Sequence, residues 1–403
     1  MRFSALDGLR GCFALLVALF HFNYLGHFYS VPFVRNSYLF VDFFFVLSGF
    51  VISSAYGDKL GSTVGLKEFV LRRFGRLWPL HIVVLVAFVI VEALKVVLNR
   101  WIPTEVAPFA DGVSLRYIFS NVALIHSLGV HPFLTWNGPS WSISVEFYTY
   151  ILFAVGAMCC YRVKIPLGYL LALAALCGFC MLSLYSRCYM DASYDFGFFR
   201  SIYGFSIGCL MYRFLIGTKD AWNRRIDVLR LFELASAALV IAFVSLYGHS
   251  WLSLLAPLVF SPVIYVLALE SGPVARLLLS GPLQAIGRWS YSIYMVHALV
   301  STCIGRVLRV VGHFAGYQVS ELDLADSFGR IVKVALIGGA WTMDGLAAIY
   351  LATVVALAAL SYRFVEVPAR AYFNGLARRQ PRPVLVSAAR SGASESARRR
   401  QRS

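Results

Sequence analysis

His21 is an ionisable ring near the end of an apolar run, and Arg10 precedes it by eleven residues. On a helix that rises ~1.5 Å and turns ~100° per residue, this spacing leaves the two ~16 Å apart along the axis and nearly on one face. Arg10 then falls at a membrane edge while His21 lies inside. Burial favours the neutral imidazole, which can accept a proton from a hydroxyl. The competing reading is a structural histidine bonded between helices, but ionisable residues inside a membrane mark function by default.

Other constellations add reactive groups. Ser142, Glu146 and Tyr150 recur at i, i+4 and i+8 and lie close to one helix face. A carboxylate in an apolar helix needs a partner, which Arg10, His21 or another buried donor can supply; a purely structural ion pair is the alternative. Arg72, Arg73 and Arg76 crowd an inner loop leading into Leu77-Trp78-Pro79. Their planar donors match phosphate oxygens, whereas the plainer reading is a topology signal facing lipid headgroups. Tyr294 and His297 stand three apart on one face, and His297 is divided between a core hydrogen bond and a site role. Asp42 is a further ionisable group at the membrane, followed by a Ser48-Gly49 pair suited to close helix packing. Glu366 and Arg370 read as anchors of the last helix.

The elements that must position these groups are set by lipid. The chain is 59% hydrophobic and 14% charged, with a mean hydropathy of +0.72. A soluble chain carries about a quarter charged residues, so this much apolar surface needs lipid as solvent. Apolar runs near the ~20-residue spanning length fall at about 8–26, 38–56, 78–98, 142–160, 166–186, 197–216, 231–248, 251–269, 290–311 and 345–364. The expected fold is an all-α, polytopic transmembrane helical bundle of about ten helices. The stretches 117–128 and 331–341 are too short to span and read as re-entrant or interfacial. Ser4 and Asp7 resemble a capping box opening the first helix. That run lacks an A-x-A cleavage site and is read as a helix of the mature chain.

The net charge of +16 suggests nucleic acid at first sight. The basic residues, however, lie between apolar runs: with the N-terminus inside, 26 of the 36 fall on inner segments. Both termini are therefore expected in the cytoplasm, with no nucleic-acid partner. Residues 1–376 form the membrane domain, and 377–403 a basic tail expected to be disordered, either solvated or held to anionic lipid. The eight cysteines are scattered and read as small core residues. No HExxH, Walker loop, GxSxG elbow or other motif points to a metal or a bound cofactor.

Six segments, in order, resemble the acyltransferase-3 family of polytopic membrane acyltransferases over about residues 1–372. Leu6-Asp7-Gly8-Leu9-Arg10-Gly11 with His21 is similar to the family's Arg-x10-His signature, and Val41 to Phe50 to its phenylalanine-rich run ending in Leu-Ser-Gly-Phe. Arg72 to Pro79 resembles its Arg-Arg-x-x-Arg-Leu-x-Pro loop, and Trp141 to Tyr150 its Trp-Ser-x-x-x-Glu…Tyr helix, although Thr149 stands where a Phe commonly precedes the Tyr. Ser290 to His297 and Ser361 to Arg370 match the last two signatures.

The resemblance implies an O-acyltransferase of the bacterial inner membrane. It would move an acyl group, most simply acetyl, from cytosolic acyl-CoA as co-substrate to a hydroxyl of a polysaccharide or lipid-linked glycan. His21, Arg10 and Glu146 would be catalytic, with His21 as general base or covalent acyl carrier and Glu146 orienting or balancing His21 or an arginine. Arg72, Arg73 and Arg76 would hold the donor's phosphates, while Asp42, Ser142, Tyr150, Tyr294 and His297 support the site. The family's optional SGNH domain is not seen, so a second transfer step would call on other glycan-assembly proteins. Residues 313–344, with Glu321, Asp323, Asp326 and Asp344, are longer than a minimal loop and are expected near the acceptor. The alternative is a transporter or flippase of a glycan or small polar substrate, although the paired repeats common in transporters are not apparent.

Overall fold

The computed structural model describes residues 3–57, 59–61, 64–100, 102, 106–223, 226–317, 319–326 and 328–379. The basic tail expected at 377–403 therefore lies, beyond Arg379, outside the described residues. Ten helices of 13 residues or more are described. They are α1 (Ser4–Phe20), α2 (Phe40–Tyr56), α3 (Leu66–Leu98), α4 (Trp141–Val163), α5 (Leu167–Tyr185), α6 (Gly197–Asn223), α7 (Ile226–Tyr247), α8 (Ala256–Ala268), α9 (Gly281–Ala315) and α10 (Ala340–Ser361). Among the described residues eight helical stretches are long and apolar enough to cross a membrane, covering α2 to α5 and α7 to α10. The 17-residue α1 and the 27-residue α6 complete the expected ten.

Glycines let these helices approach closely. A Cβ on Gly11 would lie 2.6 Å from the Gly287 nitrogen, so α1 and α9 touch backbone to backbone. Gly49 and Gly208 do the same for α2 and α6, where an added Cβ would sit 1.9 Å from the Phe205 and Val46 carbonyl oxygens. The amino end of α1 is not capped by Ser4, which is already helical and makes no capping bond. Glu270 accepts from the Ala5 N–H at 3.0 Å instead, and Gln284 donates to the Ser4 carbonyl at 2.7 Å. A carboxylate brought from the other end of the sequence replaces the local cap.

Three segments depart from the sequence expectation. Arg72, Arg73 and Arg76 are not in a loop: α3 begins at Leu66 and runs through Pro79. Proline removes one bond to the carbonyl four residues back and does not end this helix. The last span also continues, through a π turn (Tyr362–Glu366), into α11 (Val367–Arg378). Residues 331–336 are β2 of an antiparallel hairpin with β1 (Ser320–Ala325), not a re-entrant segment. Stretch 117–128 holds a short helix (Ile118–Val122) lodged against α3, with Trp78 donating to the Val122 carbonyl at 2.9 Å.

The hairpin is joined to the far end of α1. Leu25 N donates to the Ala335 carbonyl and Ala335 N to the Asn23 carbonyl, each at 2.9 Å, so the residues just after His21 bridge to β2. His27 and Asp344 add a contact at 2.5 Å.

Candidate active site

His21 is the residue at which α1 ends. Its Nδ1 lies 2.9 Å from the Val17 carbonyl. A carbonyl only accepts, so Nδ1 carries the proton and the neutral ring keeps its lone pair on Nε2. Nε2 makes no hydrogen bond among the described residues, and the ring lines a cavity of about 340 Å³ at this end of the bundle. The His297 ring lies 4.9 Å away, centre to centre. His297 is wholly buried, its Nδ1 is 2.6 Å from the Tyr294 carbonyl, and its Nε2 has no partner among the described residues. Tyr294 in turn donates to the Pro139 carbonyl and accepts from Ser142, both at 2.9 Å. Ser142, Tyr294, His297 and His21 thus form one contiguous chain.

The opposite end of α1 holds a different cluster. Arg10 donates to Ser290 Oγ at 2.7 Å and to the Gly287 carbonyl at 3.3 Å, with Asp7 3.5 Å away. Glu146 accepts from Ser48 at 2.8 Å and from Tyr150 at 2.5 Å. Arg73 donates to the Tyr56 hydroxyl at 3.3 Å and lies over the Tyr56, Phe69 and Tyr150 rings, while its Nε has no partner among the described residues. Arg76 makes no hydrogen bond among the described residues and lies in the field of Glu366, Glu146 and Asp7. Glu366, on the π turn, takes a bond from Ser292 at 3.0 Å and pairs with Arg370 at 2.8 Å. Four guanidinium groups thus meet three carboxylates, and Arg73 and Arg76 are the least engaged of the four. Their donors suit a phosphate-bearing ligand.

The expected set therefore divides. Glu146 bonds to Ser48 and Tyr150, not to His21 or Arg10. Arg72 pairs with Glu68 at 2.7 Å, while its Nε, like that of Arg73, has no hydrogen-bond partner among the described residues. Asp42 forms a two-pronged pair with Arg200, both bonds 2.7 Å, and Arg200 also donates to the Ala192 and Tyr38 carbonyls. That buried pair ties α2 to α6 and, through the Tyr38 carbonyl, backs the wall of the His21 cavity. Ser48 and Ser290 are polar partners that spacing alone did not single out. Arg200 carried a signal, an arginine within an apolar run. Asp191 and Arg330, on the cavity rim, carried none, because 139 residues separate them.

Helices whose buried polar groups collect at the two ends of one span describe a polytopic membrane protein with an internal site. Residues 3–363 match the acyltransferase-3 family of acyltransferase domains, and the chain belongs to that family. Among its relatives, the acyltransferase MdmB of Streptomyces mycarofaciens is 28% identical over 74% of this chain and 77% of its own length. "Protein 2 in picA locus" of Rhizobium radiobacter is 45% identical over 21% of this chain and 42% of its own length. The peptidoglycan O-acetyltransferase OatA of Listeria monocytogenes is 28% identical over 37% of this chain and 23% of its own length. The chain thus spans less than half the length of the latter two. No solved structure matches it significantly.

Proposed function

We propose that this chain is an inner-membrane O-acyltransferase, moving an acyl group, most simply acetyl, from cytosolic acyl-CoA to a hydroxyl of a polysaccharide or lipid-linked glycan. The observation that carries the reading is the free Nε2 of His21, fixed by Val17 and open to a cavity. The arginine cluster at the other end of the same helix supports a donor entering from the basic, cytosolic side. The similarity to OatA, a peptidoglycan O-acetyltransferase, supports a glycan hydroxyl as acceptor.

In this reading Arg10, Arg73 and Arg76 hold the phosphates of the donor, and its pantetheine arm reaches along α1 toward His21. The acceptor oxygen attacks the thioester carbonyl as its proton passes to His21 Nε2. The new C–O bond forms, the C–S bond breaks, and the departing thiolate takes the proton from the imidazolium. The Val17 carbonyl keeps the ring in the correct tautomer, and His297 holds its position. Glu146, held by Ser48 and Tyr150, balances the arginines.

The test is His21→Ala in purified, reconstituted protein supplied with labelled acetyl-CoA and membranes from the producing cell. Transfer of label is expected to fall by roughly 10²- to 10⁴-fold, the usual contribution of a general base, with insertion and accumulation unchanged. Full retention of transfer would overturn the proposal.

A further inference from the structure

The hairpin β1–β2 has no part in the chemistry above, yet it shares the cavity with His21. Leu324 and Ala325 of β1 and Val332 of β2 line the same space as Phe20, His21 and Tyr38. Two connections fix it there. The bridge from Asn23 and Leu25 to Ala335 joins it to the segment after His21. The Arg330 guanidinium spans Asp326 within the hairpin turn, at 2.6 Å, and Asp191 on the loop before α6. Phe328 also lies against His249, with ring centres 5.3 Å apart.

The lining indicates what can enter. Arg330 holds both Asp191 and Asp326, and Arg35 lies over the Phe20 and Tyr29 rings; the two cations and two anions cancel in number, which disfavours a ligand with net charge. Phe20, Tyr29 and Tyr38 add aromatic wall, each ring having a guanidinium over it. A volume of about 340 Å³ lies at the low end of the ~300–1,000 Å³ typical of small-molecule pockets.

We infer that the hairpin is the roof of the acceptor site, that it admits one uncharged, hydroxyl-bearing ring, and that Arg330 is the positioning residue that holds it down through Asp191. The inference rests on the acyltransfer reading above. With the roof in place, the acceptor hydroxyl is the nucleophile at the thioester. With the roof loosened, water takes its place: its proton goes to His21 Nε2, its oxygen bonds to the carbonyl carbon, the C–S bond breaks, and the products are the free acid and CoA.

Asp191→Asn is the cleaner variant, because it cuts the outer tie and leaves the Asp326–Arg330 pair inside the hairpin. The full chain in liposomes is given acetyl-CoA alone, and release of the CoA thiol is followed. Asp191→Asn and Arg330→Gln are expected to raise acceptor-free release by roughly fivefold or more, since water exclusion is lost. The KM for acetyl-CoA stays unchanged, and Arg330→Lys falls between Arg330→Gln and the parent chain. Methyl glucoside, its uronate and its amino analogue then serve as ring probes. The neutral sugar is expected to alter CoA release at a lower concentration than either charged one. Unchanged release in both variants, or equal response to the three sugars, would overturn the inference while leaving the acyltransfer reading standing. A parent chain that releases no CoA under any condition would overturn both.

Discussion

The two ends of α1 solve different physical problems with the same helix. At the His21 end the imidazole meets neutral groups: a second imidazole, bonded to the Tyr294 carbonyl, and a tyrosine whose hydroxyl accepts from a serine. Charge there is confined to the rim and balanced. At the Arg10 end the charges are close, mixed and in positive excess, with donors left over on Arg73 and Arg76. A neutral pocket holds a base whose lone pair must stay available, whereas an under-neutralised arginine cluster stays ready for an anion. The division of labour follows from what each end leaves unpaired.

That contrast can be broken in three ways. The largest effect is expected behind the His21 cavity, at the strut that carries Tyr38. Removing one partner of the buried Asp42–Arg200 pair leaves the other charge without compensation and costs about 3–5 kcal/mol. Asp42→Ala should therefore reduce the folded protein recovered from membranes, as read by thermal aggregation in detergent; normal stability would mean that the pair is not the strut described here.

Next in size, Arg76→Ala removes donors that a phosphate would use, each charge-assisted bond being worth about 1.5–3 kcal/mol. The KM for acetyl-CoA should rise roughly 10- to 100-fold, with acceptor-free CoA release at saturating donor little changed. A rise in acceptor KM instead would mean that the two ends do not divide donor from acceptor.

The smallest effect concerns pH at the hairpin. Desolvation pushes the Asp326 carboxyl up, but the backbone N–H and guanidinium of Arg330, with the Phe328 N–H, outweigh it and hold the group below its usual range. A group depressed on folding contributes stability that is full above its unfolded pKa, about 3.9, and is lost as pH falls through the lower folded value. Protection of the Phe328 and Arg330 amides, measured against the intrinsic exchange rate at each pH, should thus be unchanged from pH 7 to about 5 and fall only below about 4. Protection that is unchanged even well below pH 4 would show that Asp326 does not hold the turn.

Much of the helical bundle could be read before any coordinates, because lipid demands long apolar runs and leaves little choice of element. The same-face relation of Arg10 and His21 needed only helix geometry. The arginine segment was misread as a loop because proline ordinarily argues against a helix interior. The hairpin was missed because its strands are only six residues each: β1 alternates through Glu321-Leu322-Asp323-Leu324, but 331–336 is apolar apart from Lys333 and has no period of its own. Glu146 was singled out as needing a partner, and the i, i+4 spacing already brings Tyr150 to it; that Ser48 also reaches it depends on how α4 meets α2, which no local pattern encodes.

The joining of α1 to the late hairpin has a consequence for biosynthesis. The His27–Asp344 contact spans 317 residues and the Arg10–Ser290 contact 280. A ribosome delivers α1 first, yet the partners that complete both of its ends emerge with α9, the hairpin and α10. A chain arrested midway has the ring and the arginine but neither Ser290 nor a covered cavity. The site is therefore assembled last, from the oldest and youngest parts of the nascent polypeptide.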